Sequence, residues 1–258
     1  MNALLYAALG TGFTFLMTAL GASAVFFVPK QSRGGSKRLC LGFAAGVMVA
    51  ATVWSLLIPA LEHEKGGMLP SVCGIVLGAL VLVGLENVME RPRPTAHLPQ
   101  ALHALDGSSK LLFAAVTLHN IPEGIAVGLS FALAAHSGQP ALLLAACSLA
   151  LGIGIQNLPE GTALSLPLHE QGLSKRHAVG LSAASAVVEP VFGVLAVLAV
   201  SAAQPLLPWL LAFAAGAMLV VSVRELIPQA CCGDERYVGT LSVLAGFVLM
   251  MLLDVALG

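Results

Sequence analysis

Eight hydrophobic stretches of membrane-spanning length follow one another along the 258 residues of the chain. They fall near residues 3–28, 38–61, 69–88, 110–135, 140–167, 174–200, 205–230 and 236–257. A bilayer core about 30 Å thick requires about 20 apolar residues in a helix. The stretches are separated by segments rich in Gly, Pro, Ser and charged residues, which favour turns. The pattern predicts an all-α polytopic membrane protein with eight transmembrane helices, folded as a single transmembrane domain over residues 1–258.

The composition excludes several other classes of protein. Hydrophobic residues make up 58% of the chain and charged residues 10%, whereas soluble domains carry about 25% charged residues. The formal net charge is −1, so no overall positive field attracts nucleic acid. The first stretch contains no Lys or Arg before Lys30, and a secretory signal peptide begins with a positively charged segment. We therefore expect a retained first span, and neither a soluble enzyme nor a nucleic-acid-binding protein.

The charges between the stretches predict how the chain is oriented. Eleven of the twelve Lys and Arg residues lie in or beside the odd-numbered connections, and only Lys65 lies in an even-numbered one. The longest connection, residues 89–109, carries Arg91 and Arg93. Short loops rich in Lys and Arg remain in the cytoplasm. The sequence therefore predicts a cytoplasmic loop at 89–109 and both termini outside the cytoplasm.

Two internal repeats relate stretches that run in opposite directions. LGFAAGVM at 41–48 resembles LAFAAGAM at 211–218, and HNIPEG at 119–124 resembles QNLPEG at 156–161. Similar segments in antiparallel helices are typical of inverted-repeat transporters, whose site lies near the membrane midplane. Generic packing of small residues explains the first repeat about as well. It does not explain the second repeat, because polar residues at mid-span are costly.

The second repeat predicts a strip of ligating side chains on each of two helices. In each copy the first residue lies four positions before the glutamate and the asparagine lies three before it, so all three share one helix face. Glu189, which is followed by Pro190, adds a third carboxylate near the middle of the sixth stretch. The candidate metal ligands are His119, Asn120, Glu123, Gln156, Asn157, Glu160 and Glu189.

Three carboxylates at this depth require compensation. A central acidic residue costs roughly 2.5 kcal/mol or more, and no Lys or Arg lies in the middle of a stretch. The carboxylates therefore either carry protons or hold a cation. Imidazole beside carboxylates favours Zn²⁺ or Fe²⁺ over Ca²⁺, which prefers oxygen ligands. A divalent-metal transporter is the leading hypothesis. A proton or monovalent-cation pathway through the same glutamates is the alternative, and the missing HExxH motif disfavours an intramembrane metalloenzyme.

These residues resemble the signature of the ZIP (Zrt-/Irt-like protein) family of divalent metal transporters, in its bacterial, GufA-like branch. The resemblance rests on HNIPEG, QNLPEG and Glu189-Pro190, with support from RELIP at 224–228 and AGFVLMMLLD at 245–254. It implies a 3+2+3 inverted-repeat fold in which the helices that carry the metal slide against a scaffold that dimerises. It also implies zinc as the transported substrate, with Fe²⁺, Mn²⁺ or Cd²⁺ as other substrates. We expect no organic cofactor, a homodimer in the bacterial inner membrane, and transport toward the cytoplasm.

The resemblance further implies two adjacent metal positions. One would use His119, Glu123, Gln156 and Glu160, and the other would use Asn120, Glu123, Asn157, Glu160 and Glu189. Asn157 stands where some bacterial members have Asp, and Gln156 stands where many members have His. The occupancy of the second position is therefore left open.

Several other polar residues and thiols have no assigned role. The five cysteines fit no zinc-binding or disulfide spacing. The residues left open are His63, His97, His103, Glu225, Cys231 and Cys232.

Overall fold

The chain is described by a computed structural model over residues 3–27, 35–63, 67–89, 107–199, 204–233 and 237–257. Within these ranges the regular structure is helical and contains no strand. Seven helices are long and apolar enough to cross a membrane, and Met68–Gly84 is a shorter apolar helix. The prediction of an all-α polytopic membrane protein is confirmed. Most of the predicted loop at 89–109, including His97 and His103, lies outside the described residues.

The eight predicted stretches correspond to eight helical segments, seven of which are of membrane-spanning length; the segments are called spans one to eight below. Span one is Ala3–Ala22 followed by a 3₁₀ turn, Ser23–Phe26, and span two joins Gly35–Ala51, Thr52–Leu57 and Ile58–Glu62. Span three is Met68–Met89, span four is Gly107–Ser137, and span five is Pro140–Glu170. Span six joins Lys175–Ala186 and Val188–Leu198, span seven joins the 3₁₀ turn Gln204–Leu206, Leu207–Val221, Ser222–Leu226 and Ile227–Cys231, and span eight is Val238–Leu257.

Both copies of the first repeat end in the same irregular backbone. A π-helical segment, Thr52–Leu57, precedes Ile58-Pro59 in span two, and Ser222–Leu226 precedes Ile227-Pro228 in span seven. Proline cannot donate a backbone hydrogen bond, and its ring displaces the carbonyl four residues back. The wider turn of a π-helix accommodates that displacement. The two segments of similar sequence therefore lead into the same local backbone irregularity.

The eight spans pack as two groups. Spans one, four, five and six contact mainly one another and are called the site group below, because they carry the candidate ligands. Spans two, three, seven and eight form a second group, called the flanking group. The groups meet chiefly where span five packs on span two and where span four packs on span seven.

Glycines bring helix backbones into direct contact inside each group. A Cβ added at Gly161 of span five would meet the Thr18 carbonyl of span one, and one added at Gly21 would meet the Leu158 carbonyl of span five. Equivalent reciprocal contacts join spans four and six, spans two and eight, and spans three and seven. Small residues allow this close approach between helices in lipid. Among the described glycines, every such backbone contact lies within one group.

Candidate metal site

The two copies of the second repeat face each other inside the site group. Span four supplies His119, Asn120 and Glu123, and span five supplies the three matching residues. All seven predicted ligands are buried, with at most 2% of the residue exposed: His119, Asn120, Glu123, Gln156, Asn157, Glu160 and Glu189. Helix periodicity places each set on one face, and the packing of the spans turns both faces inward.

His119, Glu123 and Glu160 form the tightest part of the cluster. One ligand atom from each lies within 4.8 Å of the other two. Three such atoms have a common point at most about 2.8 Å from each, whereas zinc bonds to nitrogen and oxygen are about 2.0–2.2 Å long. His119 Nε2 lies 3.1 Å from Glu160 Oε2. A small inward movement of these side chains would complete three bonds to a single ion.

The first residue of each copy contacts the glutamate of the other copy. His119 of span four faces Glu160 of span five. Gln156 of span five donates a hydrogen bond from Nε2 to Glu123 Oε1 of span four. These crossed contacts follow the inverted symmetry of the two helices, and they link the helices through the ligating groups themselves.

Glu189 reaches the cluster because span six is interrupted. Its two helices meet at Val187, and Glu189 lies in the first turn of the second helix. Pro190 has no N–H to donate to the preceding turn, which favours a break at this position. Asn157 donates from Nδ2 to Glu189 Oε1 over 3.0 Å and to the Thr14 carbonyl over 3.3 Å. Thr14 thereby brings span one to the site, a contribution that helix periodicity alone does not reveal.

Asn120 is anchored on span six. Its Nδ2 lies 3.4 Å from the Ser185 carbonyl and donates to it. A Cβ added at Gly124 would meet the Glu189 backbone, so spans four and six are in close contact at this level. The sequence signal for that approach is the glycine that follows Pro-Glu in the repeat.

Several oxygens of the cluster have no hydrogen-bond donor among the described residues. They are Asn120 Oδ1, Glu123 Oε2, Gln156 Oε1, Asn157 Oδ1, Glu160 Oε1 and Glu189 Oε2. Buried polar atoms are almost always paired, and no Lys or Arg appears among the buried residues of the described ranges. Unpaired carboxylate and amide oxygens beside an imidazole fit a divalent cation of the zinc type.

A cavity of about 360 Å³ lies between span five and the flanking group. Asp254 of span eight and Glu62 of span two line it, and Asp254 Oδ1 accepts a 2.8 Å hydrogen bond from Ser55. Gly152, which also lines it, lies one helical turn before Gln156 on the same face of span five. We call this space the Asp254 cavity. Sequence reasoning missed it, although an acid near the end of an apolar helix was the available signal.

The described residues without an assigned role, which exclude His97 and His103, do not share an ion position with this cluster. Among the described His, Cys, Asp and Glu side chains, the group close enough to share an ion consists of His119, Glu123 and Glu160. Glu225 accepts a 3.4 Å hydrogen bond from Gln229, and Cys231 Sγ lies 3.8 Å from the Thr240 hydroxyl. Their roles stay open.

Comparisons with known proteins agree with the geometry. A family model described as "ZIP Zinc transporter" matches residues 99–254, more than half of the chain. The chain is 39% identical over 252 residues to "Zinc transporter GufA" of Myxococcus xanthus, covering 93% of this chain and 94% of the relative. It is 34% identical over 338 residues to "Zinc transporter ZIP11" of Homo sapiens, covering 98% and 97%. It is 35% identical over 262 residues to "Zinc transporter ZIPB" of Bordetella bronchiseptica, covering 98% and 82%.

Proposed function

This chain belongs to the ZIP family of zinc transporters, and we propose that it takes up zinc into the cytoplasm through the cluster at His119, Glu123, Gln156 and Glu160. Family membership makes the chain a multi-pass membrane transporter rather than an enzyme. It therefore disfavours the metalloenzyme hypothesis on grounds independent of the missing HExxH motif. Zinc is named as the substrate of both GufA, at 39% identity, and ZIP11, at 34% identity.

One observation carries the proposal. An imidazole and two carboxylates, all buried, present ligand atoms within 4.8 Å of one another, and unpaired oxygens surround them. A proton relay requires carboxylates but has no use for unpaired amide oxygens beside them. A divalent ion uses both, so the donor set favours metal transport over the proton or monovalent-cation alternative.

A second ion position adjoins the first in this proposal. Asn120, Asn157 and Glu189 each keep an unpaired oxygen in the cluster. Glu123 and Glu160 would be shared between the two positions. The first position has the imidazole and the crossed contacts, and it is the one we assign to the transported ion.

Alternating access would come from movement of the site group against the flanking group. Glycine contacts lock backbones together inside each group, and no described glycine makes such a contact between them. The boundary also contains an apolar cleft of about 220 Å³, lined by Met17 and Pro159 on one side and Phe43 and Met250 on the other. Contacts made by flexible side chains can rearrange more readily than backbone contacts. In the proposed homodimer, the flanking group would supply the interface.

The proposed entry route is the Asp254 cavity. With both termini outside the cytoplasm and the protein in a bacterial inner membrane, this cavity opens on the outer side. Its two carboxylates attract cations, and its floor on span five leads toward Gln156.

The same orientation places Cys232, which is exposed, on the cytoplasmic side. A membrane-impermeant maleimide should label it from that side only, and Cys232→Ser should remove the signal. Labelling from the outside that Cys232→Ser removes would reverse the proposed orientation.

Uptake into proteoliposomes tests the function directly. Purified protein should accumulate radioactive zinc, and Cd²⁺, Fe²⁺ and Mn²⁺ should be added as competitors, with and without a pH gradient. Glu123→Ala should reduce uptake to the level of protein-free vesicles, because it removes a ligand of the central group. Uptake by Glu123→Ala at the wild-type rate would remove the site assignment. Flux that follows pH and ignores divalent metal would support the proton pathway instead.

A further inference from the structure

Each of the three buried carboxylates lies close to a nitrogen of a polar side chain on another span. Glu123 Oε1 accepts a hydrogen bond from Gln156 Nε2, and Glu189 Oε1 accepts one of 3.0 Å from Asn157 Nδ2. Glu160 Oε2 lies 3.1 Å from His119 Nε2, a close contact without the geometry of a hydrogen bond. The pairing is complete, because no carboxylate of the cluster lacks such a nitrogen. It uses one oxygen of each carboxylate and leaves the second oxygen for other contacts.

These contacts and ion binding compete for the same groups. An imidazole nitrogen that donates a hydrogen to a carboxylate cannot at the same time give its lone pair to a metal. An amide binds a metal through its oxygen, whereas Gln156 and Asn157 turn their nitrogens toward the carboxylates. The nitrogens therefore serve the carboxylates in a different step from the one in which an ion is held.

Net transport includes a step in which the site holds no ion. A carrier that has released its ion must return through the membrane with its carboxylates still buried. A buried charge without a partner is strongly disfavoured. Exchange of one ion for another avoids this problem, because the site is then loaded in both directions.

We propose that His119, Gln156 and Asn157 stabilise the carboxylates after the ion has left, and so allow the ion-free protein to return. This inference rests on the proposed transport function. It makes Asn157 a positioning residue for net uptake, acting through Glu189, whatever its part in holding an ion.

The two asparagines of the repeat provide a matched pair of variants. Asn157 and Asn120 occupy the same place in their copies, and both are fully buried. Asn157 donates to the Glu189 carboxylate and the Thr14 carbonyl, whereas Asn120 donates only to the Ser185 carbonyl in the described contacts. Asn157→Leu therefore removes a hydrogen-bond donor to a carboxylate. Asn120→Leu removes an amide from the same cluster but leaves the donors to the carboxylates in place. Gln156→Leu removes the donor to Glu123.

The experiment compares two rates in proteoliposomes with the membrane potential clamped. Net uptake is the initial entry of radioactive zinc into zinc-free vesicles over several turnovers, and it requires ion-free return. Exchange is the entry of radioactive zinc into vesicles preloaded with unlabelled zinc, and it does not require ion-free return. Hydrogen bonds to charged groups correspond to about a tenfold or larger change in an equilibrium constant. The ratio of net uptake to exchange should fall about tenfold in Asn157→Leu and Gln156→Leu. In Asn120→Leu, which loses a proposed ligand of the second position, net uptake and exchange should fall together, so that their ratio stays at the wild-type value.

Other outcomes overturn the inference. If net uptake and exchange fall in parallel in Asn157→Leu and Gln156→Leu, these residues act as ligands or packing groups only. If Asn120→Leu lowers the ratio as much, the effect does not come from carboxylate donors. If either Asn157→Leu or Gln156→Leu does not fold, the ratio of net uptake to exchange in the other variant decides between these outcomes. Wild-type protein that exchanges zinc without net uptake would also overturn the inference and leave transport intact. Wild-type protein that does neither would overturn the proposed function itself.

Discussion

Replacing Glu160 by Gln should abolish tight zinc binding without unfolding the protein. Glutamine has nearly the same shape as glutamate, and Glu160 is 1% exposed, so the substitution changes charge rather than volume. It removes one of the two carboxylates in the group that also contains His119. Removing one partner of a buried ionic interaction costs about 3–5 kcal/mol. The dissociation constant for zinc should therefore rise by a factor of about a hundred or more.

Thermal unfolding in detergent measures this loss. Zinc at 100 times the wild-type dissociation constant stabilises a protein by about 2.7 kcal/mol, and a hundredfold weaker site reduces that to about 0.4 kcal/mol. Without zinc, Glu160→Gln should be at least as stable as wild type, because it no longer buries a charge. Glu170→Gln is the matched control, since it makes the same change at an exposed position of the same helix. Equal stabilisation of wild type and Glu160→Gln by zinc would refute the assignment of Glu160 as a ligand.

The remaining predictions concern packing and ion entry. Gly78→Ala should destabilise the protein by about 1–3 kcal/mol, because the added Cβ would meet the Phe213 carbonyl of span seven. Gly84→Ala on the same helix meets nothing within 4 Å and should be neutral or slightly stabilising. Equal unfolding temperatures for the two variants would contradict the role given to the glycine contacts. Asp254→Asn should raise the KM for zinc severalfold at low salt, leave kcat unchanged, and lose its effect at high salt as screening increases. A KM that does not respond at either salt concentration would exclude the Asp254 cavity as the entry route.

The chain alone was enough to predict the helical stretches and the two strips of candidate ligands. Both are local properties. Apolar stretches need about 20 residues to cross a bilayer whatever they pack against, and the 3.6-residue helix period places His119 beside Glu123 in any helix that contains them. The inverted repeat added one non-local inference, because two similar polar strips in antiparallel helices are favoured to meet. Family resemblance followed from the same short motifs, and the comparisons confirm it.

Only the tertiary structure decided which group faces which. Gln156 bonds to Glu123, Asn157 bonds to Glu189 and the Thr14 carbonyl, and Ser55 bonds to Asp254 across 199 positions of the sequence. Helix period fixes the direction of a side chain relative to its own axis. It does not fix the rotation, depth or neighbours of that axis. Those follow from how all the spans pack, including the glycine contacts that divide them into two groups, and this packing turns a set of polar residues into a site.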